Sequence, residues 1–271
     1  MAEKQGNRMP ARRPAKDREK DREKDRQFVA SLERGLQVLR AFSRKQGGLR
    51  NGQLAKQTKL APSTISRLVY TLRELGYLRY DRATRSYMLM PQVLSLGYPV
   101  LSQAPLLHQV RPILLQLAQQ TGETCGFAQR DGLHATFLDC VQGRNMLAVR
   151  MEVGARLPLS SSASGLCLIK ISPENERRVL ISRIRATLTR RRLPVAAFEQ
   201  HVKEALASPA VILRDTWHKG IGGIAVPVTN GSEVGAITIP IATSNVSDKD
   251  MRGPLSEMML ELVNRHQLGF R

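Results

Sequence analysis

Three residues, Lys59–Ala61, separate two short segments of helical apolar spacing, and that gap does most to narrow the folds open to this chain. Upstream, residues Asn51–Thr58 put Leu54 and Ala55 on the inner side of a short helix. Downstream, Pro62 suits the first turn of a helix, where its missing N–H would find no partner anyway. From there Ile65, Leu68, Val69, Leu72 and Leu75 form one apolar stripe, and Gly76 ends the run. Ahead of both, SLERGLQVLRAF repeats Leu32, Leu36, Leu39 and Phe42 near helical spacing, bracketed by Ser31 and by Gly47 and Gly48. Behind both, Tyr77–Tyr80 and Ser86–Leu89 read as strands flanking a polar turn at Asp81–Arg85. Helix, helix, turn, helix, hairpin is the order of a winged helix-turn-helix.

Charge points the same way. The 271 residues carry 42 Lys and Arg against 23 Asp and Glu, a formal +19, which attracts polyanions such as nucleic acid or an anionic membrane. No apolar run reaches the roughly 18 residues of a membrane span, and the first residues are charged with no apolar signal core. The expected partner is therefore double-stranded DNA, with no membrane, in the cytoplasm at the nucleoid. Opposite its apolar stripe the third helix carries Ser63, Thr64, Ser66, Arg67, Tyr70, Thr71 and Arg73. Hydroxyls bond bases or phosphate oxygens, and arginine grips a guanine edge with two hydrogen bonds. Ser63, Thr64, Ser66 and Arg67 are the candidates for base contact, Tyr70 and Thr71 for phosphate. In the hairpin, Arg79, Arg82 and Arg85 are placed to follow the backbone or the adjacent minor groove. Any surface helix has a solvated face, so the assignment rests on this face together with the short turn, the basic hairpin and the net charge.

The chain divides into four parts. Residues 1–27 hold ten Lys and Arg, six Asp and Glu and an imperfect DREK repeat, the composition of a disordered basic tail. Residues 28–90 form the winged domain, and 91–105 a linker whose helical piece, Val93–Leu101, is too apolar for a bare spacer; it should pack against something such as a second subunit. Residues 106–271 alternate helices and strands in an α+β pattern. A helix is expected at Leu106–Thr121, strands at Thr124–Gln129, His134–Val141 and Met146–Met151, and hairpin turns at Asp131-Gly132 and Asn230-Gly231, the latter joining Ile221–Val228 to Glu233–Ile241. Further helices are expected at Ala163–Ile171, Pro173–Ile184, Val195–Ala207 and Asp248–Gln267.

Catalytic signatures are missing: there is no G-x-S-x-G elbow, no H-E-x-x-H and no phosphate loop, so neither a hydrolase nor any other enzyme is expected. The five histidines lack metal-ligand spacing, and no cofactor or metal is expected. Cys125, Cys140 and Cys167 cannot all pair within one chain and read as core thiols in a reducing compartment. The arginines from Arg177 to Arg192 read as a solvated helix and loop. A non-specific architectural DNA binder is the main alternative, but coating DNA would not need so elaborate a second domain.

The blocks SLERGLQVLRAF, LAPSTISRLVYTLRELGYLRYD, LPLSSSASGLCLI and GIGGIAVPV…GAITIPI, in this order, closely resemble the IclR family of bacterial regulators from Phe28 onward. The resemblance implies a GAF-like α/β effector domain joined by a linker helix to the winged domain. It implies homodimers or homotetramers on near-palindromic operators, repressing or activating, with RNA polymerase as a candidate further partner. It also implies control by a small organic or aromatic acid. The stretch YMLMPQVLSLGYPVLS is most similar to the branch governing aromatic-acid catabolism, the protocatechuate and 4-hydroxybenzoate regulators. Carried over by motif, the family pocket falls on Leu157, Ala163, Ser164, Ile221, Gly223, Thr238 and Pro240, with Asp215 the nearest candidate for an acidic position. Ser162 and Ser164 stand where a helix should begin, and free amides there suit a carboxylate, although serine is also a common helix cap. Two positions depart from the family: Gly223 replaces a cysteine and Pro240 a small polar residue. Both point to a larger or less polar ligand, or to none.

Overall fold

The computed structural model describes residues 27–42, 47–146 and 148–270. The basic tail expected at 1–27 lies, except for Gln27, outside the described residues. The chain divides into two compact units that meet between Pro99 and Val100.

The first unit contains α1 (Ala30–Ala41), α2 (Asn51–Thr58), α3 (Pro62–Glu74), β1 (Leu78–Asp81) and β2 (Ser86–Leu89). Ile65, Val69 and Leu72, spaced i, i+4, i+7 on α3, close over Val38 of α1, Leu54 of α2 and Leu78 of β1. α2 stops at Lys59, which takes a left-handed conformation (φ 60°), and the Gln37 amide of α1 donates to the Thr58 carbonyl at 3.0 Å. That bond fixes the turn against α1. The hairpin pairs Arg79 with Met88 and Tyr80 with Tyr87, whose rings lie 5.1 Å apart. Leu49 adds a third rung: its amide and carbonyl both bond Tyr87. Gly48 makes this approach feasible, because a Cβ there would fall 2.2 Å from the Ser86 hydroxyl.

Ser31 does not cap α1; the cap position is Val29, which offers no side-chain acceptor, and Ser31 lies within the helix. Leu75 does not complete the apolar stripe. It follows the last turn of α3 and stays 55% exposed, because the chain turns away at Gly76 (φ 78°).

A 3-10 turn at Pro91–Val93 leads into α4 (Leu94–Ser102), in which no residue is buried. Leu94, Leu96, Tyr98 and Val100 are all exposed.

The second unit is a six-stranded antiparallel sheet with helices on both faces. After α5 (Pro105–Thr121) come β3 (Cys125–Asp131), β4 (His134–Val141), β5 (Arg156–Pro158), α6 (Ala163–Lys170), α7 (Glu174–Arg190) and α8 (Val195–Ala207). Then follow β6 (Val211–Arg214), β7 (Ile221–Thr229), β8 (Val234–Ala242), the short α9 (Asp248–Asp250) and α10 (Ser256–Arg265). The strand order is β5-β4-β3-β8-β7-β6. Alternation along each strand feeds two cores. Phe127, Ile224 and Ile237 join Ile113 and Leu117 of α5 and Leu262 of α10 on one face. Ala128, Phe137 and Ala225 join Leu166 of α6, Leu180 of α7 and Phe198 of α8 on the other. Burial pushes the thiols of Cys125 and Cys167 up to about 12, so both are packed, unreactive core groups.

Residues Met146–Met151, expected as a strand, are irregular where described, and Met146 is 99% exposed. β5 pairs with β4 instead, and Gln142 holds the intervening loop by donating to the Met151 carbonyl. β6 has no counterpart in the sequence reading. α7 runs past Ile184 to Arg190, because Leu188 continues the buried series of Leu180 and Ile184. The Asp131-Gly132 turn is shifted by one residue: Asp131 is the last strand residue, paired with His134, and Gly132 (φ 62°) holds the first turn position. No helix among the described residues is long and apolar enough to cross a membrane.

Candidate nucleic-acid interface and ligand pocket

On α3 the residues opposite Ile65, Val69 and Leu72 form one continuous outer arc. Ser63, Arg67 and Tyr70 occupy its middle and are exposed. Half-buried Thr64 and exposed Thr71 flank it on the side of α1, where both line a groove with Leu32 and Leu36. Ser66 flanks it on the side of α2, where its hydroxyl donates to the Pro62 carbonyl and accepts from the Asn51 amide. Thr71 likewise bonds the Arg67 carbonyl, so both hydroxyls have local partners as well as an open side. Arg79, Arg82 and Arg85 are exposed on the hairpin, whose turn is held by Asp81. The Asp81 carboxylate accepts from the Thr84 hydroxyl and the Ala83 amide, and the first of these bonds does most to hold its pKa below the usual aspartate value. Arg85 sits at φ 52°.

In the second unit, eight of the nine residues assigned to a pocket surround one cavity: Leu157, Ser162, Ala163, Ser164, Ile221, Gly223, Thr238 and Pro240. The cavity has a volume of about 30 Å³, which holds little more than one water. Asp215 is not in its lining. It takes φ 55°, and its carboxylate accepts the Gly220 amide at 2.5 Å, which closes the turn before β7. Phe137, Met151, Ser161, Leu213, Thr216, Trp217 and Gly222 complete the wall, and no motif of the sequence marks them as pocket residues. The only hint was compositional: Trp217 is the chain's single tryptophan.

The Ser162 hydroxyl is fully used, donating to the Pro158 carbonyl at 2.7 Å and accepting from Gly165 at 3.1 Å. It is the cap of α6. Thr238 donates to the Ile224 carbonyl across the sheet. The amides of Ala163 and Ser164 lie in the first turn of α6 and have no intrahelical acceptor. No charged side chain lines this cavity, so these amides and the helix dipole are the groups there that would favour an anion. Gly223 and Pro240 face each other in register across β7 and β8. The two departures from the family pattern are thus one paired feature. A Cβ on Gly223 would lie 3.5 Å from Ala163, so the glycine leaves real space there.

A helix-turn-helix with a basic hairpin, followed by a sheet domain with a cavity at a helix N-terminus, defines a ligand-responsive DNA-binding transcription regulator. Residues 31–82 match the IclR helix-turn-helix domain and residues 98–265 the bacterial transcriptional regulator IclR C-terminal domain, and the chain belongs to the IclR family. It is 30% identical over 243 residues to the HTH-type transcriptional regulator TsaQ1/TsaQ2 of Comamonas testosteroni, covering 87% of this chain and 82% of that protein. It is 26% identical over 239 residues to the Pca regulon regulatory protein of Pseudomonas putida, covering 87% and 81%. Among solved structures, an IclR family transcriptional regulator from Brucella abortus superimposes with a TM-score of 0.71 at 30% identity, covering 90% of this chain and 94% of that one. The chain is a DNA-binding regulator with a C-terminal effector domain, and not an enzyme.

Proposed function

We propose that this regulator reads a near-palindromic operator through Ser63, Thr64, Ser66 and Arg67, and that a small aromatic or other organic acid at the N-terminus of α6 sets its DNA affinity. The observation that carries the ligand half is the pair of first-turn amides of Ala163 and Ser164 beside a wall that combines the rings of Phe137 and Trp217 with the hydroxyl residues Ser161, Thr216 and Thr238. The amides suit the carboxylate and the rings suit an aromatic body. The sequence stretch from Tyr87 and the 26% identity to the Pca regulon regulatory protein favour the aromatic branch.

A cavity of about 30 Å³ cannot hold such an acid as it stands. Entry requires the 215–220 turn, which carries Trp217, to move outward. A ligand that binds only the opened arrangement shifts the population toward it, and that difference is the source of control. Thermal melting of the full chain against a panel of aromatic and short organic acids tests this. A binder at 100 times its Kd should stabilise the fold by about 2.7 kcal/mol. If no acid in the panel moves the melting temperature, the assignment of the ligand class fails.

Tyr70 and Thr71 act on phosphates in this reading, and Arg79, Arg82 and Arg85 on the backbone or minor groove beside the recognition helix. Replacing Arg82 with alanine should weaken binding to all sequences alike and lower the salt slope by about 1. A loss confined to the operator would refute a phosphate role for Arg82. Self-association supplies the second half-site: the exposed Leu94, Leu96, Tyr98 and Val100 on α4 are the apolar surface that a dimer or tetramer would cover.

A further inference from the structure

Beside the cavity at α6 lies a much larger chamber, of about 480 Å³, between α7, α8 and the β3–β4 turn. Ser161, Thr216 and Trp217 line both spaces and form the partition between them. We propose that this chamber is a second ligand site, separate from the pocket at α6, and that it takes an aryl organic monoanion.

Its apolar side comes from Ile184 and Leu188 of α7, Phe198 of α8 and the ring of Trp217. Its polar side comes from Arg191, His134 and His201, and no carboxylate lines it. Four arginines of this region have acidic partners, Arg130 with Glu176, Arg156 with Asp131, Arg178 with Glu174 and Arg185 with Glu199, whereas Arg183, Arg190, Arg191 and Arg192 have none among the described residues, and of these Arg191 lines the chamber. Among the described residues no carboxylate pairs with Arg191. An unpaired guanidinium at the mouth of an apolar chamber is a receptor for a carboxylate or sulfonate.

The two histidines extend that polarity. Arg156 lies 3.4 Å from His134 Nδ1 and can only donate, so Nδ1 accepts and a neutral ring carries its proton on Nε2. Burial, with help from Arg156, lowers the His134 pKa and favours that neutral donor form. His201 Nδ1 is buried with no hydrogen-bond partner, a polar group that the protein itself leaves unsatisfied. The lining thus offers a cation, a ring N–H and an apolar slot of aryl dimensions. The pocket at α6 has neither the space nor a charged side chain. Trp217 is held against His218, with centroids 4.3 Å apart, and a ligand on either side of its indole changes its surroundings.

The single tryptophan makes the test direct. Full-length protein is titrated with 8-anilinonaphthalene-1-sulfonate, an aryl sulfonate whose absorption overlaps tryptophan emission, and quenching of Trp217 is read with sensitised emission from the probe. One saturable site per chain is expected. Arg191→Gln should weaken it about tenfold, the loss of one charge-assisted contact. Ala197→Phe, at an exposed lining position on α8, should weaken it by at least as much through filled space. Gly223→Val narrows the α6 cavity alone and should leave the probe's affinity unchanged. The proposal is overturned if the wild type shows no saturable quenching, if Arg191→Gln binds as the wild type does, or if Gly223→Val is the variant that loses the probe. Arg191 is exposed, so its replacement does not depend on the chain tolerating a new core group.

Discussion

Arg67→Ala should weaken operator binding by about 1–3 kcal/mol and relax base preference at one position of each half-site, with little change in affinity for random DNA. Arg67 stands in the middle of the outer arc of α3, exposed, two turns from the C-terminal end of the helix. None of the described carboxylates pairs with its guanidinium. Two parallel donors on one rigid plane match the two acceptors of a guanine edge, and alanine removes both without offering a substitute. Footprinting and anisotropy on operator and scrambled duplexes separate the outcomes. Equal losses on both duplexes would mean that Arg67 grips phosphate; no loss on either would remove it from the interface. The stem of Arg67 also lines the groove beside α1, so a melting curve of the variant is needed to exclude a packing effect.

Gly165→Ala should destabilise the second unit and abolish its response to effector. In a helix interior, alanine is normally better than glycine by about 1 kcal/mol. At this position the sign should reverse. A Cβ on Gly165 would fall 2.4 Å from the Leu159 Cα and 2.8 Å from the Leu159 carbonyl oxygen, and these are backbone atoms that cannot swing aside. Leu159 is itself fully buried. The first turn of α6 must therefore lift from the 159–162 segment, breaking the Ser162 cap and moving the Ala163 and Ser164 amides away from the cavity. Overpacking of this kind costs about 1–3 kcal/mol, and each kcal/mol lowers the melting temperature of a domain this size by about 2–4 °C. A variant that melts higher than the wild type would show that the close approach at Gly165 is not a constraint.

The parts legible in the sequence are those where one local rule decides the structure. α2 lies within Asn51–Thr58 as expected, and α3 begins at Pro62, because proline and a left-handed Lys59 fix the turn from both sides. β4 and α8 have the expected bounds, since alternation and helical spacing are strong there. Where tertiary contacts decide, local pattern misled. The described residues of the 146–151 stretch lose the edge of β4 to Arg156–Pro158 despite the apolar character of that sequence. β6 is four residues long and gains its identity from pairing with β7. Seven pocket residues are reachable through family motifs and Ser162 through its place at a helix start, but Trp217, Phe137 and Met151 arrive from three separate segments and share no local signature. Asp215 shows the converse: an acidic residue near the right strand, with its carboxylate committed to a turn. That Gly223 and Pro240 face one another follows only from the register of β7 and β8.

On the proposed function the chain recognises a DNA sequence and does not merely coat DNA by virtue of its +19 charge. Selection of bound duplexes from a fully randomised pool, at near-physiological salt, tests it most directly. The expected result is enrichment of a near-palindromic site whose half-sites are spaced by whole turns of the double helix, bound about 10³-fold or more tighter than random DNA. Recovery of duplexes without a shared motif, bound with the same affinity and the same salt slope as random DNA, would contradict it.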